Sequence, residues 1–448
     1  MRDEIGYTQA TAFSSPVEEY VFGKSHSLKI LLSLSLLMTF DFADRMIIAG
    51  LLPIIKEEWR ITDTEAGLLS SVLYLGMVIF VFPASLLIDR WSRLKMASLT
   101  GVFWSLSSAA GAWTKSFSEL VVTRAFVGIG EAGYAPAAYV WISAAFPGRR
   151  RQLALGIFST GQPIGMAVGV ALGGYVGKML GWHQALGLMA APGLLIAILI
   201  YRGRDYQNLP VVADSADPLR QSVLHRFGWD SVRAIARSPS LIFAFLAGAM
   251  GTLQCTPVFY FLPMFLHRVH GVPAATATYM TSGIMMMVIV SVPLGGWIMD
   301  RWSDTMPRAK LVFAWIASAI GTVLFGLAFG AARGCTTQYA LIVIATFIIA
   351  TASTATLSMS QELAPIGARA LSGSCFVLVL HLLGSAPGPY FTGLLSDHYG
   401  LTTAFLIMCL VSGALALITL LLAWWYYPSV SRAEAARGVS RGWARVCD

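Results

Sequence analysis

The sequence predicts an all-α integral membrane protein with twelve transmembrane helices in two pseudo-symmetric six-helix bundles. Three observations predict it. Of the 448 residues, 12% are charged and 56% hydrophobic, and the mean hydropathy is +0.68. A soluble chain typically carries ~25% charged residues, so lipid is the solvent that fits this composition. Twelve apolar runs are long enough to cross a bilayer core of ~30 Å as helices. Finally, one four-residue string recurs in corresponding loops of the two halves.

Residues 1–27 read as a cytoplasmic N-terminal segment. They carry Asp3, Glu4, Glu18 and Glu19 and no apolar core, so no cleavable signal peptide is expected and the first membrane helix serves as the targeting signal. An N-terminal bundle over 28–201 holds runs at 30–55, 66–88, 96–114, 118–146, 152–177 and 184–201. A linker over 202–237, rich in Arg, Asp and Pro, follows. The C-terminal bundle over 238–427 holds runs at 238–266, 271–299, 311–332, 334–361, 370–396 and 399–431, and 428–448 form a tail. Only 30–55, 118–146 and 370–396 contain ionisable groups.

Charge in the loops predicts orientation. Counting Lys and Arg on alternate sides gives 23 on the side of both termini and 6 on the other, with Arg45 and Arg124 inside helices. The positive-inside rule places both termini in the cytoplasm of a cell with the chain in its plasma or inner membrane. The net charge of +8 is spent in these short loops and forms no continuous face, which argues against nucleic acid. The five cysteines show no metal-ligand spacing and read as small packing residues. No cofactor, metal or catalytic constellation is called for.

The repeat is Asp89-Arg90-Trp91-Ser92 after the second run and Asp300-Arg301-Trp302-Ser303 after the eighth. Parallel duplicated halves put a binding site near the midplane between them. These loops resemble the cytoplasmic motif of the major facilitator superfamily, Gly-x-x-x-Asp-Arg/Lys-x-Gly-Arg. Asp89, Arg90 and Arg93 fit it, and Ser85 and Ser92 stand where it has glycine. Arg124-x-x-x-Gly128-x-Gly130 is similar to the family's buried-arginine motif. Within the superfamily the pattern resembles the Spinster group of lipid and organic-solute carriers. It does so at Asp44-Arg45, at Ala66-Gly67-Leu68-Leu69, and in the Gly-Glu-Ala-x-Tyr string of Gly130, Glu131, Ala132 and Tyr134. The organic anion:cation symporters are similar at the first and last of these. The resemblance implies a monomeric carrier of a small organic or amphipathic substrate, coupled to protons through helices 1 and 4. It also implies a cytoplasmic gate at Asp89, Arg90, Arg93, Asp300 and Arg301.

The residues themselves point the same way. Asp41, Asp44 and Arg45 share one helix face, and charges at bilayer depth mark a wet cavity or pair with each other. Arg45 can hold an anionic group through a forked pair of hydrogen bonds. Asp41 or Asp44 can take up a proton, because burial disfavours the charged form. An Asp41–Arg45 bridge that merely locks the helix is the plainer alternative. Arg124 and Glu131 lie two turns apart on one face, as a proton acceptor and the cation that tunes it, or with Arg124 tied to a neighbouring helix. Tyr134 joins the charged residues as a candidate for binding substrate or proton; Gln162, Gln254, Tyr260 and His381 are candidates for lining the substrate cavity, with a packing histidine the plainer reading of His381. Glycines at 161, 165, 169, 173 and 177 form one smooth stripe, for tight packing or for sliding between the halves. No P-loop is present. A membrane enzyme using His267 and His270, a non-transporting sensor, and a sugar-acid or organic-anion proton symporter are the rival readings.

Overall fold

The computed structural model describes residues 20–203, 205, 229–303, 306, 308–364 and 369–427. Much of the expected N-terminal segment, linker and tail lies outside them. The described chain is helical, with no strand. In lipid a helix satisfies its backbone groups within one segment, which a lone strand cannot do.

The first six helices are α1 (Lys24–Trp59), α2 (Asp63–Arg90), α3 (Arg93–Gly111), α4 (Phe117–Ala145), α5 (Gly148–Leu180) and α6 (Trp182–Tyr201). Polar caps set several starts: the side chains of Thr62, Ser92 and Ser116 accept from the backbone N–H three residues on. Gly181, at φ 92°, is both the last cap of α5 and the first of α6, a conformation that only glycine adopts freely. A short helix α7 (Trp229–Ala236) precedes α8 (Pro239–His270), α9 (Ala274–Ser303), α10 (Ala309–Gly330), α11 (Cys335–Glu362), α12 (Arg369–Leu380), α13 (Pro387–Tyr399) and α14 (Leu401–Trp425). The run at 370–396 is thus two helices joined by a π-helical turn, His381–Ser385. Its cause is local. Pro387 cannot donate to the helical ladder, and Ala386 reaches back five residues to the His381 carbonyl at 2.9 Å.

Among the described residues, nine helical segments are long and apolar enough to span a membrane. α1 and α4 fall short because they carry buried charge. α3, expected to pass, falls short as well: Ser98, Thr100, Ser105, Ser107 and Ser108 lower its hydropathy, and the bundle shelters all but Ser107.

The glycine stripe of α5 lies along α1, inside the first half. A Cβ on Gly165 or Gly169 would lie 2.2 Å from the carbonyl oxygen of Thr39 or Ala43. The stripe therefore serves close packing of α1 rather than sliding between the halves. Between the halves, α2 meets α13 and α5 meets α9. Among the described residues, hydrogen bonds and ion pairs between the halves run from Asp63, Thr64 and Arg268 down to the Ser282 hydroxyl on the Ala167 carbonyl, 2.9 Å. They gather at the end of the molecule away from the starts of α1 and α8, hereafter the sealed end.

Candidate functional site

At mid-depth α1 and α4 bring five charged side chains together. α1 places Asp41, Asp44 and Arg45 on one face, as their spacing requires. Gly130 lets α4 pack closely on α3, where a Cβ would meet Trp104 at 2.6 Å. The Arg45 guanidinium donates to Asp41 Oδ2 at 2.7 Å and lies over the Phe42 ring at 4.3 Å. Its Nε sits 2.9 Å from Glu131 Oε2. Arg124 turns to Asp44, with Nη1 3.1 Å from Oδ2 and Nη2 donating to the Asp44 carbonyl at 3.0 Å. The Ser108 hydroxyl donates to the other oxygen of Asp44. Asp41 and Asp44 are 0% exposed and Glu131 1%.

The expected members therefore meet, with partners the spacing did not assign. Arg124 serves Asp44 rather than Glu131, and Arg45 bridges Asp41 and Glu131. The Asp41–Arg45 bridge exists, and it is one edge of a larger network that also takes in Glu131. The three carboxylates are not equally supported. Asp44 accepts from Ser108 and Arg124, and Asp41 from Arg45. Among the described residues no group donates in hydrogen-bond geometry to either oxygen of Glu131, the Arg45 Nε–H pointing off line. Three carboxylates against two guanidiniums leave one negative charge in excess.

The second half faces this cluster with aromatic groups. His381, in the π-helical turn, stacks on Tyr74 of α2 at 5.3 Å and 21°, and its Nδ1 lies 3.1 Å from the Ser385 hydroxyl. Among the described residues this is the one ring contact between the halves. Tyr260, 1% exposed, has a hydroxyl with no hydrogen-bond partner among the described residues. Other candidates lie apart. Gln254 is buried within the second half, its amide donating to the Cys409 carbonyl at 2.9 Å and to Thr322 at 3.2 Å. Gln162 is exposed on α5. Tyr134 is a strut from α4 to the Leu34 carbonyl of α1. The hydroxyls of Thr351, Ser353 and Thr354 bond back to carbonyls of their own helix.

Of the loop motif, the side chains of Asp89 and Arg90 lie outside the described residues. Asp300 and Arg301 are exposed, and Arg301 covers the Trp297 ring at 5.0 Å. Arg93 is buried at the start of α3. Ser92, where the resembling motif has glycine, caps α3 and donates to Asp205, which also accepts from the Leu94 N–H at 3.1 Å. His267 and His270 turn to different partners, the Val272 carbonyl and Gln338.

Sequence reasoning missed the polar cluster at the sealed end. Asp63 receives Lys56 at 2.6 Å, both terminal nitrogens of Arg268 at 2.7 Å and the Ser396 hydroxyl at 2.5 Å. Its one legible signal was Thr62-x-x-Glu65, a helix-start box.

Comparison with known proteins agrees with this architecture. The family model described as Major Facilitator Superfamily matches residues 34–382. Protein spinster homolog 1 of Bos taurus is 28% identical over 424 residues, covering 88% of this chain and 76% of that protein. The sphingosine-1-phosphate transporter SPNS2 of Mus musculus is 29% identical over 250 residues, 55% of this chain and 45% of that protein. The crystal structure of a bacterial homologue of the human lysosomal transporter Spinster, inward-facing and unoccupied, superposes with a TM-score of 0.77. It is 23% identical and covers 90% of this chain and 97% of that one. With that family match over most of its length, a multi-pass helical architecture and Spinster proteins among its relatives, the chain belongs to the Major Facilitator Superfamily of membrane transporters.

Proposed function

We propose that this transporter moves an amphipathic, lipid-like solute by alternating access, with uptake coupled to one proton held at Glu131. The observation that carries the coupling is the charge imbalance: three buried carboxylates face two guanidiniums, and of the three only Glu131 lacks a hydrogen-bond donor among the described residues. A single proton on Glu131 makes the cluster neutral, which lowers the cost of holding it away from water. With Glu131 neutral, Arg45 is released toward an anionic head group, which it can grip in forked geometry. Asp44 and Arg124 satisfy each other and hold α1 against α4.

A lipid-like solute is supported by the Spinster relatives, one of which carries sphingosine-1-phosphate by its name, and by the aromatic side chains of Tyr260 and His381 that the second half brings to the charged cluster. The sealed end lies away from the loops richest in Lys and Arg. The positive-inside rule then makes this an inward-open form with cytoplasmic termini. In the outward-open form Asp89, Arg90, Arg93, Asp300 and Arg301 close the cytoplasmic side. The transporter works as a monomer.

The test is flux in proteoliposomes. Labelled sphingoid phosphates or lysolipids should accumulate with a pH gradient and only equilibrate without one. A sugar acid that competes while lipids do not would favour the organic-anion symporter. No movement of any of them under a gradient would defeat the proposal.

A further inference from the structure

Apart from the Ser282–Ala167 bond, the polar contacts between the halves share one geometry: they gather on the N-terminus of α2. The first N–H groups of a helix have no partner within it. Here Thr62 and Glu65 form a reciprocal capping box, in which the Thr62 hydroxyl takes the Glu65 N–H. That leaves the N–H groups of Asp63 and Thr64. Both donate to Asp397 of α13, in the other half, at 2.8 Å each, and the Thr64 hydroxyl adds a third bond at 2.6 Å. A carboxylate also suits the positive end of the helix dipole. The cap of α2 is thus completed by the opposite half of the molecule.

Two further features place this cap where the halves meet. A Cβ on Gly67 would stand 2.2 Å from the Pro389 carbonyl oxygen, and one on Gly393 would stand 2.1 Å from that of Asp63. The two backbones therefore touch within one turn of the capped end. Asp63, the first residue of α2, is 2% exposed and takes Arg268 of α8 bidentately.

We propose that Asp397, Asp63 and Arg268 form a latch that holds this end shut, and that undocking of Asp397 from α2 is the opening step on this side. The latch rests on the alternating-access reading. Parting of the halves exposes the Asp63 and Thr64 N–H groups to water, which can take over as acceptor, so the latch is reversible. The glycine contacts let the cap close at full approach of the two backbones.

The test is a distance measurement that needs no substrate. Spin labels at Lys115→Cys and Arg333→Cys sit on exposed loops at the sealed end, one in each half. They are read by pulsed dipolar spectroscopy in a background with the native cysteines replaced by serine. Gly67→Ala forces the backbones apart and serves as the positive control, giving the long distance. Asp397→Ala and Arg268→Gln should each raise the ratio of open to sealed molecules about tenfold. Thr62→Ala weakens the same helix end without touching the other half and should leave the distribution unchanged. A normal distribution in Asp397→Ala and Arg268→Gln, with the control shifted, overturns the latch. So does a shift in Thr62→Ala as large as that in Asp397→Ala. Neither result depends on whether a lipid is carried, so failure of the latch and failure of the proposed function are separable.

Discussion

Glu131→Gln and Arg45→Gln, compared side by side, test the charge cluster most sharply. Both are near in shape, and they alter the imbalance in opposite directions. With all five groups ionised the cluster holds three negative and two positive charges. Glu131→Gln removes the excess charge, and the carboxylate it removes has no donor in hydrogen-bond geometry among the described residues. The expected effect lies between neutral and about 2 kcal/mol of stabilisation. Arg45→Gln strands two carboxylates, at 2.7 and 2.9 Å from the lost guanidinium, with no cation of their own. Removing one partner of a buried pair costs about 3–5 kcal/mol. The two variants therefore differ by at least about 3 kcal/mol. For a half of this size that separates their melting temperatures by about 6 °C or more. Melting followed by tryptophan fluorescence in detergent reads the first quantity. Uptake in proteoliposomes reads the second, measured once under a pH gradient and once as exchange without one. Glu131→Gln should lose gradient-driven accumulation and keep exchange, because the cluster is then permanently neutral. Arg45→Gln should lose both. Full gradient-driven uptake in Glu131→Gln, or a melting temperature as low as that of Arg45→Gln, refutes the assignment.

Other expectations follow from neighbouring contacts. Asp44→Asn leaves Arg124 buried without its carboxylate and should cost about 3–5 kcal/mol, of which Asp44→Asn with Arg124→Gln should recover a large part in a double-mutant cycle of melting temperatures. Gly169→Ala drives a methyl into the Ala43 carbonyl, whereas Gly156→Ala on the same helix meets nothing within 4 Å. Expression and melting should fall for the first and hold for the second. Gln254→Leu removes its bonds to the Cys409 carbonyl and to Thr322 and should lower stability by about 0.5–1.5 kcal/mol for each bond lost. It should leave the substrate KM unchanged, since this amide faces the inside of one half; a changed KM would return Gln254 to the cavity.

Much of the fold was legible because lipid imposes a simple rule: long apolar runs become helices, and loops take the charge. The same rule hid two things. α3 looked like an ordinary span, yet its serines are tolerated because the helix is enclosed by α4 and α6. The run at 370–396 looked continuous, and only the backbone bond from Ala386 to His381 reveals the π-helical turn. At the site, spacing along α1 and α4 named the five charged residues. It could not pair them, because pairing depends on how far α4 sinks toward α1. Arg124 of α4 reaches Asp44 of α1 from 80 positions away, a meeting that no local spacing encodes. Gln254 was chosen for being polar in an apolar run, a signal that cannot tell a cavity wall from a bond between three helices. The sealed-end cluster joins Asp63, Arg268 and Asp397, residues more than 100 positions apart, and no local pattern links them.

The carboxylate of Asp205 has a practical consequence for dissecting the molecule. It lies just beyond α6 and fastens that strand of chain to the start of α3 through Ser92 and the Leu94 N–H. The first half thus carries its own clasp. A gene split after Asp205 should yield an N-terminal fragment whose third helix is still capped, ready to reassemble with a separately expressed partner. A cut only a few codons earlier should yield a fragment frayed at that helix, with weaker complementation.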